Sequence, residues 1–556
     1  MKFHREKWSR LLKLLAIAMV GVGSLAFVLA ERSRAQLSRP HVVEQAFLPV
    51  SNMHKERLES LSHTITLKSG DDLQAALRSA KFGDTIVLQP GATYPGPIVL
   101  PFKSGGSGTD ADYITIRTAD LNGISAAGER IKPALHARAM PKISAPAEKA
   151  AVATEPRAHH YRFIGVEFLP AANASYVYNV IDLGSADYTS PAQFPHHLVF
   201  DRCYVHSSGL NRARRGFALN SAETSVVNSY VAGFAGAGDE TQAIAGWNGP
   251  GPFHLINNYL EGGGEVVLIG GADPAVPNLV PADIEIRRNY LRKPREWNGR
   301  ALIKGTFELK NARRVVIEGN LIESDILTTA IVLTVRNQGG KAPWSTIEDV
   351  EIKNNIVRHA SSGVNILGND NEHRSQEASG IRIVNNLLVD IVADKPDNIP
   401  YFLQTNGGRQ ITVAHNTVQQ AGNIITAYGA PTAGFVFRDN IVQFNQYGIV
   451  CLTTASEWGS ANIFCNCFPA GVFKGNVIAD NLGAATSDRV AEKFPPGNYF
   501  VSSFQRIGFN DFAHGDWQLG ANSRTRRRAS DGGDPGANLE AIAAAGAIAA
   551  REGNRF

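Results

Sequence analysis

Three charged side chains are spaced so that they could act on one substrate. Glu308 and Lys310 alternate with Phe307 and Leu309, and a similar alternating segment downstream ends at Arg336. If both segments are strands of one sheet, the apolar residues point inward and the charged ones outward, with Lys310 and Arg336 about 5 Å apart on successive strands. A lysine beside a second cation is a suitable general base, and an arginine can neutralise a carboxylate. These are groups that β-elimination from a uronic acid requires.

Positive charge is concentrated around these residues. Between Glu285 and Val315 lie ten basic residues and only three glutamates. The formal net charge of the chain is +4, and residues 1–30 alone carry five basic residues and one acidic residue. Because the remainder is neutral overall, we expect no general affinity for nucleic acid, whereas the local patch should attract an acidic polysaccharide. A solvated surface balanced by acids on neighbouring segments is the structural alternative.

Six further side chains near this patch are candidates for binding the substrate. They are Lys304, Arg313, Arg314, Trp344, His359 and Asp370. The cations would contact carboxylates, and an exposed tryptophan could stack on a sugar ring. Packing of the tryptophan within a loop, and ordinary solvated turns for the histidine and the aspartate, explain the same residue types equally well.

A repeated pattern indicates how these residues are positioned. The sequence apolar-x-apolar-x-x-Asn-x-apolar occurs eight times, with its asparagines at Asn258, Asn289, Asn320, Asn355, Asn386, Asn416, Asn440 and Asn476. Alternation over three residues predicts a short strand with one buried face, and repeats of about thirty residues must stack to bury those faces. A second strand is predicted upstream of the first in each repeat, for example at 266–269, 306–309 and 331–335. The repeat therefore predicts an all-β parallel β-helix.

The asparagines of the repeat have two predicted roles. Asparagine at a fixed turn position tolerates left-handed backbone geometry. Stacked copies can also hydrogen-bond side chain to side chain along the axis of the solenoid. Both roles are structural, so the asparagines are not expected to act on a substrate.

The sequence divides into four predicted segments. Residues 1–30 combine a basic start, an uncharged stretch from Leu14 to Ala30 and a small-residue end, which is typical of a cleaved signal peptide; an uncleaved membrane anchor is the alternative. Residues 31–60 are predicted to be a linker or loosely attached segment, 61–536 the β-helix, and 537–556 a C-terminal capping helix and tail. We therefore expect a secreted or periplasmic monomer with no membrane segment beyond the signal.

The ends of the solenoid need covering, because exposed sheet edges invite pairing. Residues 71–80 predict a helix with Ser69 or Asp71 near its N-cap, and residues 538–551 predict a helix over the last coil. Residues 119–157 lack a clean repeat and are predicted to hold an inserted loop.

The four cysteines suggest one disulfide. Cys451 can pair with Cys465 or with Cys467 in an oxidising compartment, and Cys203 lies alone in a strand-like stretch and is predicted to be buried. No further ligands near these cysteines favour a zinc site.

Two stretches of the chain resemble those of a known group. The run SGDDLQAALRSAKFGDTIVLQPGATYPGPIVLP at 69–101 and the asparagine-bearing coils at 253–478 are similar to exported proteins of the pectate-lyase-like superfamily. The resemblance covers most of the chain and implies a right-handed parallel β-helix with an N-terminal helical cap and a C-terminal helix. Most such proteins are enzymes that act on acidic polysaccharides, and a minority bind or adhere. The motifs of polygalacturonase-like hydrolases, alginate epimerases and the main pectate lyase family are absent.

The charged segment also resembles polysaccharide lyase family six, the alginate and chondroitin lyases. That resemblance implies Lys310 as the base and Arg336 as the acid or neutralising group, with Glu308, Glu265 and Asp273 as calcium ligands. The sequence departs from the family at two points, since a single glutamate precedes Lys310 and an asparagine follows Arg336.

The sequence is compatible with three functions, which are ranked here from the most favoured to the least. A polysaccharide lyase predicts a basic groove centred on Lys310 and Arg336. A glycoside hydrolase predicts two facing carboxylates in the groove, for instance among Asp325, Asp370 and Glu372. A non-catalytic carbohydrate-binding or surface protein predicts binding without product.

Overall fold

The computed structural model of the protein describes residues 63–393, 395, 398–445, 447–452, 457–458, 462–480 and 491–546. The predicted signal peptide at 1–30 and the predicted linker at 31–60 lie outside this described part of the chain, as do residues 547–556 of the predicted tail. Within the described residues, no helix is long and apolar enough to cross a membrane.

The described strands form a right-handed parallel β-helix with three faces, named here sheets A, B and C. Each complete coil contributes one strand to each sheet, in that order along the chain. Sheet A consists of Thr64–Leu67, Thr85–Leu88, Ile114–Thr118, His159–Ile164, His196–Asp201, Ala222–Val227, Gly251–Ile256, Ala282–Arg287, Ala312–Glu318, Ile347–Lys353, Ser379–Val384, Thr412–Ala414, Val436–Arg438 and Val472–Lys474. These include the first strand of every predicted repeat.

Sheet B follows directly after the asparagine of each repeat. It consists of Thr93–Pro95, Lys142–Ala145, Glu167–Pro170, Tyr204–His206, Tyr230–Phe234, Tyr259–Gly262, Tyr290–Lys293, Leu321–Ser324, Ile356–Ala360, Leu387–Ile391, Thr417–Gln420, Ile441–Gln443, Val477–Ala479 and Tyr499–Val501. The sequence pattern predicted two strands per coil and did not identify this third one, because only its second residue is regularly apolar.

Sheet C contains the upstream strands predicted for each repeat. It consists of Ile98–Leu100, Val152–Thr154, Val177–Gly184, Ala213–Asn220, Gln242–Gly246, Glu265–Ile269, Phe307–Leu309, Thr329–Thr334, Ser362–Leu367, Tyr401–Asn406, Asn423–Tyr428, Ile449–Leu452 and the antiparallel edge strand Glu457–Trp458. A separate antiparallel pair, Phe509–Asp511 and Asp516–Leu519, lies near the C-terminus.

Alternating residues from all three sheets fill one continuous core. Phe307 and Leu309 of sheet C are fully buried, as are Val315 and Ile317 of sheet A. Each coil alone would expose this apolar face to water, so stacking on the next coil supplies the burial that stabilises the solenoid.

The asparagine ladder is confirmed as a chain of hydrogen bonds. The amide N–H and the Nδ2 of each asparagine donate to Oδ1 of the next, as in Asn289 to Asn320 at 2.9 and 3.1 Å, and the ladder continues to Asn498. The predicted left-handed conformation of these asparagines is wrong. It belongs instead to the residue before each one, such as Asn257 with φ of 56° or Asn385 with φ of 56°. Two adjacent residues therefore divide the two roles: the first adopts the left-handed turn conformation, and the asparagine forms the ladder.

Replacement of Asn320 by alanine should lower the free energy of unfolding by about 2–4 kcal/mol. The change removes the acceptor for two N–H groups of Asn289 and the donor to the Ile286 carbonyl, all of them buried. Chemical denaturation measures the loss. Alanine at Asn498, the ladder's last described rung and only half buried, is the control and should cost less; equal costs would contradict the ladder's contribution.

The predicted N-terminal capping helix is confirmed, with a different N-cap residue. The N-terminal helix is Leu73–Ser79, and its N-cap is Asp72 rather than Ser69 or Asp71, because the Asp72 carboxylate accepts from the Ala75 N–H at 2.9 Å. It buries Leu73 and Leu77 against the first coil, as a cap should. The remaining described α-helices are Pro133–His136, Asn462–Cys467 and Leu539–Ala544.

The C-terminal helix Leu539–Ala544 packs against the flank of the solenoid and not over its last coil. Ile542 lies in a cluster with Leu321, Ile356 and Leu387, on the outer face of sheet B. The repeat pattern does not account for these apolar residues on the outer face of sheet B. The helix packs there because it covers an apolar patch that would otherwise be exposed to water.

The structure contains the predicted inserted loop and one of the two predicted disulfide pairings. Residues 119–141 form an outer excursion whose Ile131 and Met140 pack near Tyr204 and Tyr230, while 142–145 and 152–154 rejoin the regular sheets. Cys451 forms the disulfide with Cys467, and Cys203 is a buried free thiol.

Candidate functional site

The candidate site lies on the outer face of sheet C, at the ends of two neighbouring strands. Phe307 pairs with Ile331 and Leu309 with Leu333, so the register differs by two residues from the predicted alignment. A shift of two keeps every side chain on its predicted face. Beyond the paired residues, the Arg336 N–H donates to the Lys310 carbonyl at 2.9 Å, so the two predicted catalytic residues are neighbours.

Lys310 lies against a pair of glycines in the preceding coil. Gly270 and Gly271 have φ of 93° and 88°, and a Cβ at Gly270 would lie 3.1 Å from the Lys310 Cβ. The Lys310 ammonium is 3.4 Å from a Glu308 carboxylate oxygen, and 16% of its side chain is exposed. The glycines therefore leave room for a lysine that is held in place but still reaches the surface.

Arg336 is held by the loop that follows the next strand of sheet C. Its guanidinium is 3.6 Å from Asp370 Oδ1 and hydrogen-bonds Asn371, while 28% of the side chain is exposed. Asp370 also accepts from the Asn337 and Glu372 amides at 2.6 and 2.8 Å. Burial opposes its ionisation, but these amide bonds and the Arg336 charge lower the pKa of Asp370 below its usual value. Asp370 is thus a carboxylate that positions Arg336.

A buried polar column that the sequence analysis missed leads toward Lys310. Side chains at one position of four successive sheet C strands are Asn179, Arg215, Gln242 and Glu265. Arg215 donates to Gln242 at 2.8 Å, and Gln242 donates to Glu265 at 2.7 Å. The sequence signal was a polar residue in the first half of each strand, at a position where alternation predicts an apolar one.

Glu308 completes this column in the following coil. A Cβ at Gly305 would lie 2.7 Å from Glu308 Oε1, so the missing side chain makes room for the carboxylate. Burial, followed by the nearby charge of Glu308, raises the pKa of Glu265. Glu265 is fully buried, and its Oε1 has no hydrogen-bond partner. Glu265 is therefore out of contact with any substrate on the outer face of sheet C.

Lys293, also missed from the sequence, lies beneath the two glutamates. It is fully buried at the end of a sheet B strand, and its Nζ donates to the carbonyls of Gly262, Gly263 and Gly264 at 3.0, 2.5 and 2.7 Å. Burial lowers the pKa of Lys293 to about 7, although the charges of Glu265 and Glu308 oppose this shift. Three carbonyls accept three N–H bonds, which only the ammonium form can supply. Lys293 is therefore a buried countercharge for the glutamates.

Only some of the predicted substrate-binding residues lie at this site. Lys304, at the start of the same coil of sheet C, forms an ion pair with Glu240. Arg313 and Arg314 begin a sheet A strand, and Arg314 is paired with Asp283 at 2.7 Å. The high local charge of the sequence is thus divided among all three faces of the solenoid.

His359 and Trp344 do not contribute as the sequence suggested. His359 is on sheet B, bonded to Asp390 at 2.5 Å, and so it does not face the groove that contains Lys310. Trp344 is half buried, and its Nε1 donates to the Leu279 carbonyl at 3.0 Å, which ties two loops together. An aromatic residue better placed for a sugar is Tyr178 of sheet C, 49% exposed beneath the Arg214 guanidinium.

The three carboxylates predicted to bind calcium are engaged separately. Asp273 Oδ2 accepts from the Gly339 and Lys341 amides at 2.9 Å each, and Glu265 accepts from Gln242. Calcium prefers six to eight converging oxygens, and Glu308 is already beside Lys310. This set fits a calcium ion poorly, so no step proposed below depends on one.

The fold and the site together define a right-handed parallel β-helix protein whose sheet C carries two partly exposed cations at its surface and two buried carboxylates near them. Solved structures of several polysaccharide lyases are similar to it in fold. An alginate lyase from Paenibacillus sp. str. FPU-7 is similar over 71% of this chain and 98% of its own, at 15% identity and a TM-score of 0.30. A mannuronic acid specific polysaccharide family 6 lyase from human gut microbiota is similar over 79% and 91%, at 12% identity and 0.42.

Pectate lyase Pel9A is similar over 84% of this chain and 91% of its own, at 11% identity and a TM-score of 0.30. No protein-family profile matches the sequence, and no curated protein matches it either. At such low identities and scores, the function of this chain must follow from its own residues.

Proposed function

We propose that the protein is an exported polysaccharide lyase that cleaves a polymer containing uronic acid by β-elimination. The observation that carries the proposal is the pairing of Lys310 and Arg336 at the surface of sheet C. Their backbones are hydrogen-bonded, each side chain is partly exposed, and each is held by one carboxylate, Glu308 or Asp370.

The reaction assigns a distinct role to each cation. Arg336 binds the uronate carboxylate, which increases the acidity of the C5 proton. Lys310, as the free amine, removes that proton, and the electron pair forms the C4–C5 double bond as the C4–O bond breaks. The leaving oxygen takes a proton from the Lys310 ammonium or from water, so that the product is one chain end with an unsaturated uronate and one ordinary chain end.

The outer face of sheet C between Tyr178 and Lys310 is long enough for several sugar residues. Tyr178 is four strands before Lys310 in sheet C, about 19 Å away at the usual spacing of strands. An exposed tyrosine beside Arg214 suits stacking on a sugar ring and contact with a carboxylate. We propose that the polymer runs along sheet C between these two positions.

The burial and contacts of the nearby carboxylates favour β-elimination over glycoside hydrolysis. A hydrolase requires two carboxyl groups that both reach the glycosidic bond. Glu265 and Glu308 form the carboxylate pair of the groove, but Glu265 is fully buried and cannot touch a substrate. Asp325 is bound to Arg292 on the sheet B side, and Asp370 is occupied by amides.

Incubation with alginate, pectate, chondroitin and glucuronan, each with and without calcium, tests the proposal. Ultraviolet absorbance of the unsaturated uronate should rise with at least one polymer. New reducing ends without this absorbance would replace the lyase by a hydrolase. Binding of a polymer with no product at all would leave a carbohydrate-binding protein.

A further inference from the structure

Four histidines form a block at the corner where sheet C turns into sheet A, far along the chain from Lys310. They come as two dipeptides, His159–His160 and His196–His197, that open successive sheet A strands, and His159 pairs with His196 in register. The rings stack between coils: His159 on His196 with centroids 4.9 Å apart, and His160 on His197 with centroids 4.3 Å apart. The sequence analysis gave these residues no role.

We propose that this block is a binding site for one divalent transition metal ion, of which zinc is the representative. His160, His196 and His197 each offer a ring nitrogen, and all three nitrogens lie within 4.8 Å of one another. Within each dipeptide the two Nδ1 atoms are 2.7 Å apart. Two nitrogens bound to one tetrahedral zinc are about 3.3 Å apart, which falls between these two distances.

The outer nitrogens of two of the rings are held by acceptors. One ring is His197, a proposed ligand, and the other is His159, which contacts the proposed ligand His160. The His159 Nε2 is 3.0 Å from the Lys103 carbonyl, and the His197 Nε2 is 2.8 Å from a Glu223 oxygen. A backbone carbonyl can only accept, so His159 carries its proton on Nε2, and the carboxylate favours the same for His197. A carbonyl or carboxylate at the far nitrogen is the usual second partner of a metal-binding histidine, because it fixes the tautomer and directs the other nitrogen to the metal.

The tautomers of His159 and His160 leave one buried ring nitrogen without a hydrogen-bond partner. With Nδ1 of His159 unprotonated, the 2.7 Å contact requires a proton on Nδ1 of His160. The Nε2 of neutral His160 is then an acceptor, and it is buried without any hydrogen-bond partner in a residue that is only 3% exposed. A buried polar atom without a partner costs free energy, and a metal ion in the cluster would offset that cost.

The chemistry of the site fits a borderline metal ion rather than calcium or magnesium. Its donors are imidazole nitrogens, which suit zinc, copper and nickel. His197, with 31% of its side chain exposed, gives the ion a path from solvent.

A purely aromatic stack is the alternative explanation for the same block. Phe82 stacks on His159, and Tyr113 lies beside His160, so the rings do continue an aromatic row. Such a row needs ring faces only. It does not account for the two close Nδ1 pairs or for the outer nitrogens held by Lys103 and Glu223.

Titration of the untagged, chelator-treated full chain with zinc, followed by calorimetry, tests the proposal. We expect one zinc per chain and a higher unfolding temperature with zinc, because binding to the folded state stabilises it. Cobalt in place of zinc should give the visible bands of a tetrahedral nitrogen-bound ion. Absence of stoichiometric zinc binding by the wild-type chain would overturn the site.

Three variants locate the ion. His197→Gln changes a clustered ligand whose side chain is 31% exposed, so it should abolish stoichiometric binding while the chain stays folded by circular dichroism. Glu223→Gln should weaken binding by about 10- to 100-fold, as a positioning residue does. His415→Ala, in a second His–Asp–Asp cluster with Asp439 and Asp531, is the control and should retain it. Loss of zinc in the control, or its retention in His197→Gln, would contradict the proposal.

Discussion

Replacing Lys310 with methionine should reduce the rate of unsaturated product formation by about 10²- to 10⁴-fold, the usual contribution of a general base. Methionine keeps the length of the side chain over Gly270 and Gly271 but has no group to accept the C5 proton. Since the substrate carboxylate is bound by Arg336, the loss should appear in kcat much more than in KM.

The chain provides a matched control for this substitution. Lys353 also lies two residues after a glutamate, with its ammonium 2.6 Å from Glu351, but on the outer face of sheet A. Lys353→Met should leave the rate unchanged. An equal loss in both variants, or a loss in Lys310→Met that is confined to KM, would remove Lys310 from the role of base.

Replacing Lys293 with methionine should lower the free energy of unfolding by about 2–4 kcal/mol, because buried acceptors and nearby buried carboxylates lose the group that compensates them. Three carbonyls at Gly262–Gly264 would lose their donor. Glu265 and Glu308 would lose their buried countercharge. Denaturant unfolding followed by circular dichroism measures the change.

A second substitution separates charge from packing in this prediction. In the Lys293→Met background, Glu308→Gln removes one of the uncompensated charges, so it should recover part of the lost stability. Lys353→Met again serves as the control, because a half-exposed ion pair contributes only about 0–1 kcal/mol. A loss below about 1 kcal/mol in Lys293→Met would mean that the ammonium is not the countercharge inferred here.

The sequence by itself determined the β-helix, because the repeat combines two constraints that are local. Alternation of apolar residues indicates a strand with one buried face, and asparagines such as Asn289 and Asn320 recur at the position where their side chains can bond from coil to coil. It also determined that Lys310 and Arg336 lie on one outer face, since side-chain direction in a strand depends only on the parity of the residue number.

The tertiary structure alone decided the register and the surroundings of those residues. The pairing of Phe307 with Ile331 shifted the predicted alignment by two residues, because the ends of strands are set by corner turns that follow no short pattern. The role of Lys293 could not be predicted from the sequence for a related reason. It binds the backbone carbonyls of Gly262–Gly264, about thirty residues upstream, and backbone groups leave no signal in the sequence.

The histidine block and the position of the C-terminal helix show the same limit. His159–His160 and His196–His197 are 37 residues apart, and only stacking of two coils brings their rings together. Ile542 packs on the flank of sheet B because Leu321, Ile356 and Leu387 face outward there. A sequence specifies which face a residue occupies, but contacts between coils depend on how loops of unequal length bring those faces into register.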